Sequence, residues 1–154
     1  MSTETLIREL ADRAELADLV ARHSLWIDEG RWDETDRIFT EDVAVKSPRG
    51  EARGIEALLA LVQRGHDTFA RTLHAKSNLV IDLEGDTAAV RAHDLAVFVV
   101  DDASVAVAAG VAHYGARRTA DGWRFSSLEI APVALTANLE RAQLPVPAKE
   151  DAAA

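Results

Sequence analysis

Apolar residues recur with a period near 3.6 over the first 28 positions. Leu6, Leu10, Ala17, Val20 and Ile27, with Ile7, Ala14 and Leu19 beside them, mark one face of a helix from about Glu4 to Asp28. Asp12 followed by Glu15 has the spacing of a capping box, which leaves open two helices meeting near Asp12. Gly30 ends the segment. A short helix is predicted from Arg31 to Phe39, with Trp32 and Phe39 toward the core. Val43 to Val45 reads as a short strand closed by the turn Ser47-Pro48-Arg49-Gly50. After Gly54 the apolar stripe Ile55, Leu58, Leu59, Val62 and Phe69 predicts a third helix, weakened midway by Gly65 and His66.

From His74 the period changes to two. Strands are predicted over Leu79–Leu83, Thr87–Val100, Ser104–Arg118 and Trp123–Ala131, the last stopped by Pro132. Their connections, Glu84-Gly85-Asp86, Asp101-Asp102 and Ala120-Asp121-Gly122, have hairpin length, so the sheet should be antiparallel. Helices followed by strands place the chain in the α+β class.

Strand parity then indicates where space is left. Ala106, Ala108, Gly110 and Ala112 share one face of their strand, ending at Tyr114. Ala92, Asp94 and Ala96 share a face of the strand before it, ending at Phe98. Two adjacent strips of small side chains mean either closely packed helices or a cavity, and the pattern leaves both open. The opposite face carries Val105, Val107 and Val111, which favours a homodimer or higher oligomer through the sheet.

Composition narrows the chemistry. The chain has 154 residues, enough for one domain with a real core. It has no cysteine, which removes disulfides, thiolate catalysis and iron–sulfur ligation. A formal net charge of −9 argues against nucleic acid as a partner. No signal peptide is expected at the N-terminus, and no stretch approaches the ~20 apolar residues of a membrane helix, so a cytoplasmic protein is expected.

Few residues could carry a reaction. Asp28 sits where a helix dipole disfavours a carboxylate, so helix stability does not explain it; a solvated turn residue is the alternative. Parity puts His74 with Lys76, Asn78 and Asp82 on the polar face of its strand, which counts against burial. His23 lies five residues before Asp28, about 140° around a straight helix, so the two meet only at a shared ligand or an unwound end. Asp94 on the small-residue face must be paired, neutral or unburied. His93 and His113 belong to the valine face, and His66 reads as exposed. No histidine pair has metal spacing, and no metal or cofactor is expected.

Several short strings resemble a known family. Trp26-Ile27-Asp28-Glu29-Gly30-Arg31-Trp32-Asp33 with Ile38-Phe39-Thr40-Glu41-Asp42-Val43 is similar to a stretch of the SnoaL-like polyketide cyclases. So are Leu73-His74-Ala75-Lys76-Ser77-Asn78 with Glu84-Gly85-Asp86-Thr87-Ala88, and the closing Asp121-Gly122-Trp123-Arg124-Phe125. The resemblance covers about residues 5 to 133 and implies an NTF2-like cone: N-terminal helices on a curved antiparallel sheet around a pocket. The domain would span 1–133, with 134–154 a partly disordered extension.

Within that superfamily, Asp28 and His74 fall where scytalone-dehydratase-like members carry an Asp–His dyad. The resemblance implies His74 as general base and Asp28 as its orienting carboxylate. The expected activity is that of a cofactor-free lyase or isomerase, dehydratase-like, acting on a small apolar carbonyl or polycyclic metabolite. His23, Trp26, Asp94, Phe98 and Tyr114 would surround that small-molecule substrate. Ring closure of the polyketide-cyclase type, with Asp94 as base, and ligand binding without reaction are the alternatives. The usual helpers differ. A tyrosine of several dehydratases is His23 here, the second histidine of scytalone dehydratase falls near Ala109 or Gly110, and the arginine that the superfamily's lindane dehydrochlorinase carries on its last strand falls near Leu128. The ketosteroid-isomerase base falls at Ser47 and its acidic donor near Ala112, so that mechanism is not implied.

Overall fold

A computed structural model describes residues 1–139. Helix α1 (Thr3–Asp28) is followed by a 3₁₀ turn (Trp32–Glu34) and a one-turn helix α2 (Thr35–Ile38). Strands β1 (Phe39–Ser47) and β2 (Gly50–Arg53) lead into α3 (Ile55–Thr68). Four long strands complete the fold: β3 (Arg71–Glu84), β4 (Thr87–Asp101), β5 (Ser104–Thr119) and β6 (Gly122–Leu135). They form one sheet in the order β2-β1-β6-β5-β4-β3. The helices cover one face of it, and the α+β, NTF2-like architecture is as expected. Among the described residues, no helix is long and apolar enough to cross a membrane.

The sheet is not wholly antiparallel. β1 pairs with β6 in parallel, from Ala44 opposite Ser127 to Lys46 opposite Glu129. Hairpin spacing could not reveal this, because the two strands lie some eighty residues apart in the chain. The segment after Ser47 is a strand as well, since β2 folds back onto β1. β6 runs through Pro132 because β1 reaches only to Glu129. Beyond that point one side of β6 has no neighbour and needs no N–H from proline. Leu139 is buried against Phe69, Phe98 and Ala106. The remainder of the expected extension lies outside the described residues.

Of the two possibilities left open for α1, the structure has the single unbroken helix. Ser2 caps the helix, its Oγ accepting from the Thr5 N–H at 3.1 Å. Asp12 and Glu15 do not cap. Asp12 accepts from both Arg118 Nη atoms at 2.8 Å and from the Trp123 indole N–H at 3.0 Å. Glu15 accepts from the Trp123 backbone N–H at 2.8 Å. The two carboxylates bind α1 to the β5–β6 hairpin, and the Arg118 hydrogen bonds hold Asp12 below the usual carboxylate range. Gly65 does not interrupt α3 either.

One backbone irregularity decides where the chemistry points. Ser77 is opposite His93 and Val80 is opposite Arg91, so β3 carries one residue more than β4 between these pairs. The extra residue includes Asn78 at φ 53, a left-handed conformation that asparagine tolerates. Before the bulge Thr72, His74 and Lys76 face inward; after it Leu79, Ile81 and Leu83 do. Uninterrupted parity had put His74 on the same outer face as Asp82; the bulge reverses it. Asn78→Val should therefore cost about 1–2 kcal/mol in thermal or denaturant unfolding, whereas Asn78→Gly should stay within about 0.5 kcal/mol of the parent.

Candidate active site

α1 stops abruptly after Asp28. Gly30 takes φ 62, and the Arg31 N–H donates to the Trp26 carbonyl at 2.9 Å, the pattern of a Schellman stop. This holds Asp28 in the last turn, facing the start of β3. Three donors from β3 converge on its carboxylate. Thr72 Oγ1 donates to Oδ1 at 2.8 Å, the His74 backbone N–H donates to Oδ2 at 2.8 Å, and His74 Nδ1 lies 2.6 Å from Oδ1. The side chains of Asp28 and His74 are only 15% and 12% exposed.

The helix dipole opposes a charge at Asp28 by about 0.3–1 kcal/mol. Hydrogen bonds to a charged group contribute about 1.5–3 kcal/mol each, so three of them prevail. Burial raises the Asp28 pKa. The His74 ring, the His74 amide and Thr72 outweigh that and leave it below its ordinary value of 3.8. An ionised carboxylate only accepts. His74 Nδ1 must therefore carry the hydrogen, which leaves Nε2 with a free lone pair in the neutral ring. The tautomer follows from the network.

His74 borders a cavity of about 160 Å³. Trp26, Phe39, Leu58, Leu61 and Phe98 supply apolar wall, and Ala96, Ala108 and Gly110 form the small-residue floor. Both readings of the alanine strips hold, at different ends. Ala92 and Ala112 are packed in the core, whereas the residues beyond them leave room. Gly110 cannot be larger, because a Cβ there would meet the Ala131 carbonyl oxygen at 2.6 Å. Phe98 meets the His74 ring edge-on, centroids 5.7 Å apart.

Asp94 is paired. It faces Lys76 across the β3–β4 ladder, with Nζ 2.7 Å from Oδ1, and the two side chains are 10% and 4% exposed. Both border the cavity. Lys76 is a buried cation that strand parity had assigned to the polar face, and only the bulge brings it inside. Ser47 also borders the cavity. Among the described residues, no three His, Asp or Glu side chains are grouped to hold a metal.

His23 and Tyr114 take different positions relative to the cavity. His23 Nδ1 and the Tyr114 hydroxyl are 2.9 Å apart in one buried hydrogen bond. His23 borders the cavity; Tyr114 does not, and stacks on Phe125 behind it. Nor does His23 pair with Asp28. Burial, with help from the Lys76 charge, pushes the His23 pKa well below 6.5. Burial and the Asp94 charge push Tyr114 well above 10.0. Both groups are neutral. Trp26, Asp94 and Phe98 border the cavity.

The neutral His23 makes stability depend on pH. Its folded pKa is depressed, so below about 6.5 the unfolded chain binds the extra proton and the folded state is penalised. Stability should fall as pH drops from 6.5, by up to ~1.4 kcal/mol per unit from this group. Denaturant titrations between pH 7 and 5 should show this slope in the parent and a shallower one in His23→Gln.

Comparison with known proteins agrees with this architecture. Residues 8–129 match the SnoaL-like domain family. The uncharacterized protein Rv2910c of Mycobacterium tuberculosis (strain ATCC 25618 / H37Rv) is 30% identical over 125 residues, covering 77% of this chain and 83% of its own. An NTF2-like protein with a cystatin-like fold from Novosphingobium aromaticivorans superposes with a TM-score of 0.77 at 26% identity, covering 93% of this chain and 95% of its own. Hexachlorocyclohexane dehydrochlorinase LinA-type3 from Novosphingobium barchaimii LL02 superposes with a TM-score of 0.76 at 21% identity, covering 84% and 92%.

Proposed function

The chain belongs to the SnoaL-like domain family, and we propose that it is a cofactor-free lyase or isomerase that works by proton abstraction. The supporting observation is the 2.6 Å contact between Asp28 and His74 Nδ1 at the wall of a mostly apolar cavity. Nε2 of the neutral ring is the base. Asp28 fixes the tautomer and stabilises the imidazolium that forms when the proton arrives. Exclusion of water by the apolar wall strengthens that stabilisation.

In the lyase form, His74 takes a proton from a carbon beside an activating group. The C–H electron pair becomes the new C=C bond, and the leaving group departs from the adjacent carbon with its own bonding pair. The imidazolium then returns its proton to a departing hydroxide or to solvent. Lys76 lies two residues farther along the same strand face, about 6.6 Å away at strand rise, and its ammonium suits a developing anion. The LinA-type3 likeness is one of fold, and its name describes an elimination, the reaction type carried over here.

Ring closure with Asp94 as base has less support. An ammonium 2.7 Å away competes with a substrate proton for the Asp94 lone pairs. A small-molecule partner and action as a homo-oligomer through the valine face remain part of this reading.

The test is turnover of β-hydroxy and β-halo carbonyl compounds and small cyclic halides by the purified chain. His74→Gln should lower kcat by about 10²–10⁴-fold with circular dichroism unchanged. Nitrogen-15 NMR of the parent at neutral pH should show His74 protonated at Nδ1, and Asp28→Asn should lose that preference. A His74→Gln variant turning over at the parental rate would end the proposal.

A further inference from the structure

Arg49 sits in the turn between β1 and β2 and borders the same cavity as His74. Its guanidinium carbon lies 5.3 Å from the Phe69 ring centroid and 5.9 Å from that of Phe98. Both rings are buried. The side chain occupies the space beside Gly65, where a Cβ would come within 2.4 Å of Nη1. The glycine in the middle of α3 thus makes room for a cation, which explains a residue that only weakens the helix.

The charge is partly removed from water, and burial is what pulls its pKa down. Among the described residues, no carboxylate and no carbonyl accepts from the guanidinium; the only hydrogen bond of Arg49 is from its backbone N–H to Ser47 Oγ. The more exposed Arg22, Arg31 and Arg117 all have carboxylate partners. Aromatic faces stabilise the cation but accept none of its five N–H groups along their fork directions. A planar carboxylate would satisfy them two at a time.

We infer that Arg49 is the substrate-anchoring residue of this cavity, and that the substrate is a carboxylate with an apolar body of about one ring. Phe98 sets the geometry. It lies against Arg49 on one side, and the His74 ring meets it with centroids 5.7 Å apart. A ligand with its carboxylate on Arg49 lays its body along Phe98 and brings its far end to the dyad. The cavity of about 160 Å³ is close to the ~150 Å³ that accommodates benzene in another protein, an example that sets scale only.

The inference takes from the proposed reaction only the position of His74, and binding alone can test it. The probes are acid and amide pairs of equal shape: benzoate and benzamide, phenylacetate and phenylacetamide, cyclohexanecarboxylate and its amide. Each is titrated into the full chain and followed by NMR shifts of cavity residues. For at least one pair the acid should bind tenfold or more tighter than the amide. Arg49→Gln should remove that preference without weakening the amide, and Arg49→Lys should restore part of it. His74→Gln should leave acid binding in place, so a failed dyad and a failed anchor are distinguishable. Equal binding of acid and amide in every pair, no binding by any probe, or an acid affinity unchanged in Arg49→Gln would overturn the inference.

Discussion

The structure turns on one carboxylate at the wrong end of a helix. Asp28 closes α1 where the dipole repels it, and it is stable there because β3 offers three hydrogen bonds to it. The interaction is therefore tertiary from the start. It requires α1 to stop at Gly30, β3 to begin beside that stop, and His74 to face inward. Each condition has its own local cause: the Schellman turn, the short run from α3 into β3, and the bulge at Asn78. A helix end and a strand end hold each other, and an imidazole is oriented in the process.

Around this contact the polar groups divide by charge. Asp28–His74 and Lys76–Asp94 both come from β3 with a neighbouring element, and His74, Lys76 and Asp94 border the cavity. Behind them His23 and Tyr114 form a neutral pair. Their neutrality has a cause in the other two. Burial opposes a charge on either, the Lys76 charge opposes a proton on His23, and the Asp94 charge opposes its loss from Tyr114. A buried layer that cannot charge near neutral pH keeps the pocket's charges on the side facing a ligand.

Much of this was legible in the sequence, and the rest failed for identifiable reasons. The 3.6 and 2.0 periods gave the helices, the four long strands and the α+β class, because those periods report directly on one buried face. The strings around Asp28 and His74 pointed to the pair. Parity argued against His74 because a single left-handed residue reverses a strand's faces, and nothing about Asn78 alone announces that. Lys76 was missed for the same reason. Tyr114 was placed at the substrate because parity shows which face a side chain is on, not whether another side chain stands in front of it. Asp12 and Glu15 matched a capping box by spacing, yet their partners, Arg118 and Trp123, lie more than a hundred residues away.

The cavity also limits which chemistry can use it. Its floor exists because Ala96, Ala108 and Gly110 are small, and at Gly110 the approach of β6 forbids anything larger. Its walls are mainly apolar, so a charge entering it must meet a charge already there. Lys76 is paired with Asp94, and His74 Nδ1 is engaged by Asp28, which leaves Arg49 as the cation with donors to spare among the described residues. A base, an internally neutralised ion pair and an open cation around one apolar body select a molecule that is anionic at one end and reactive at the other. The three are spaced by rigid strands and by the Phe98 ring, so that selection is set by the fold.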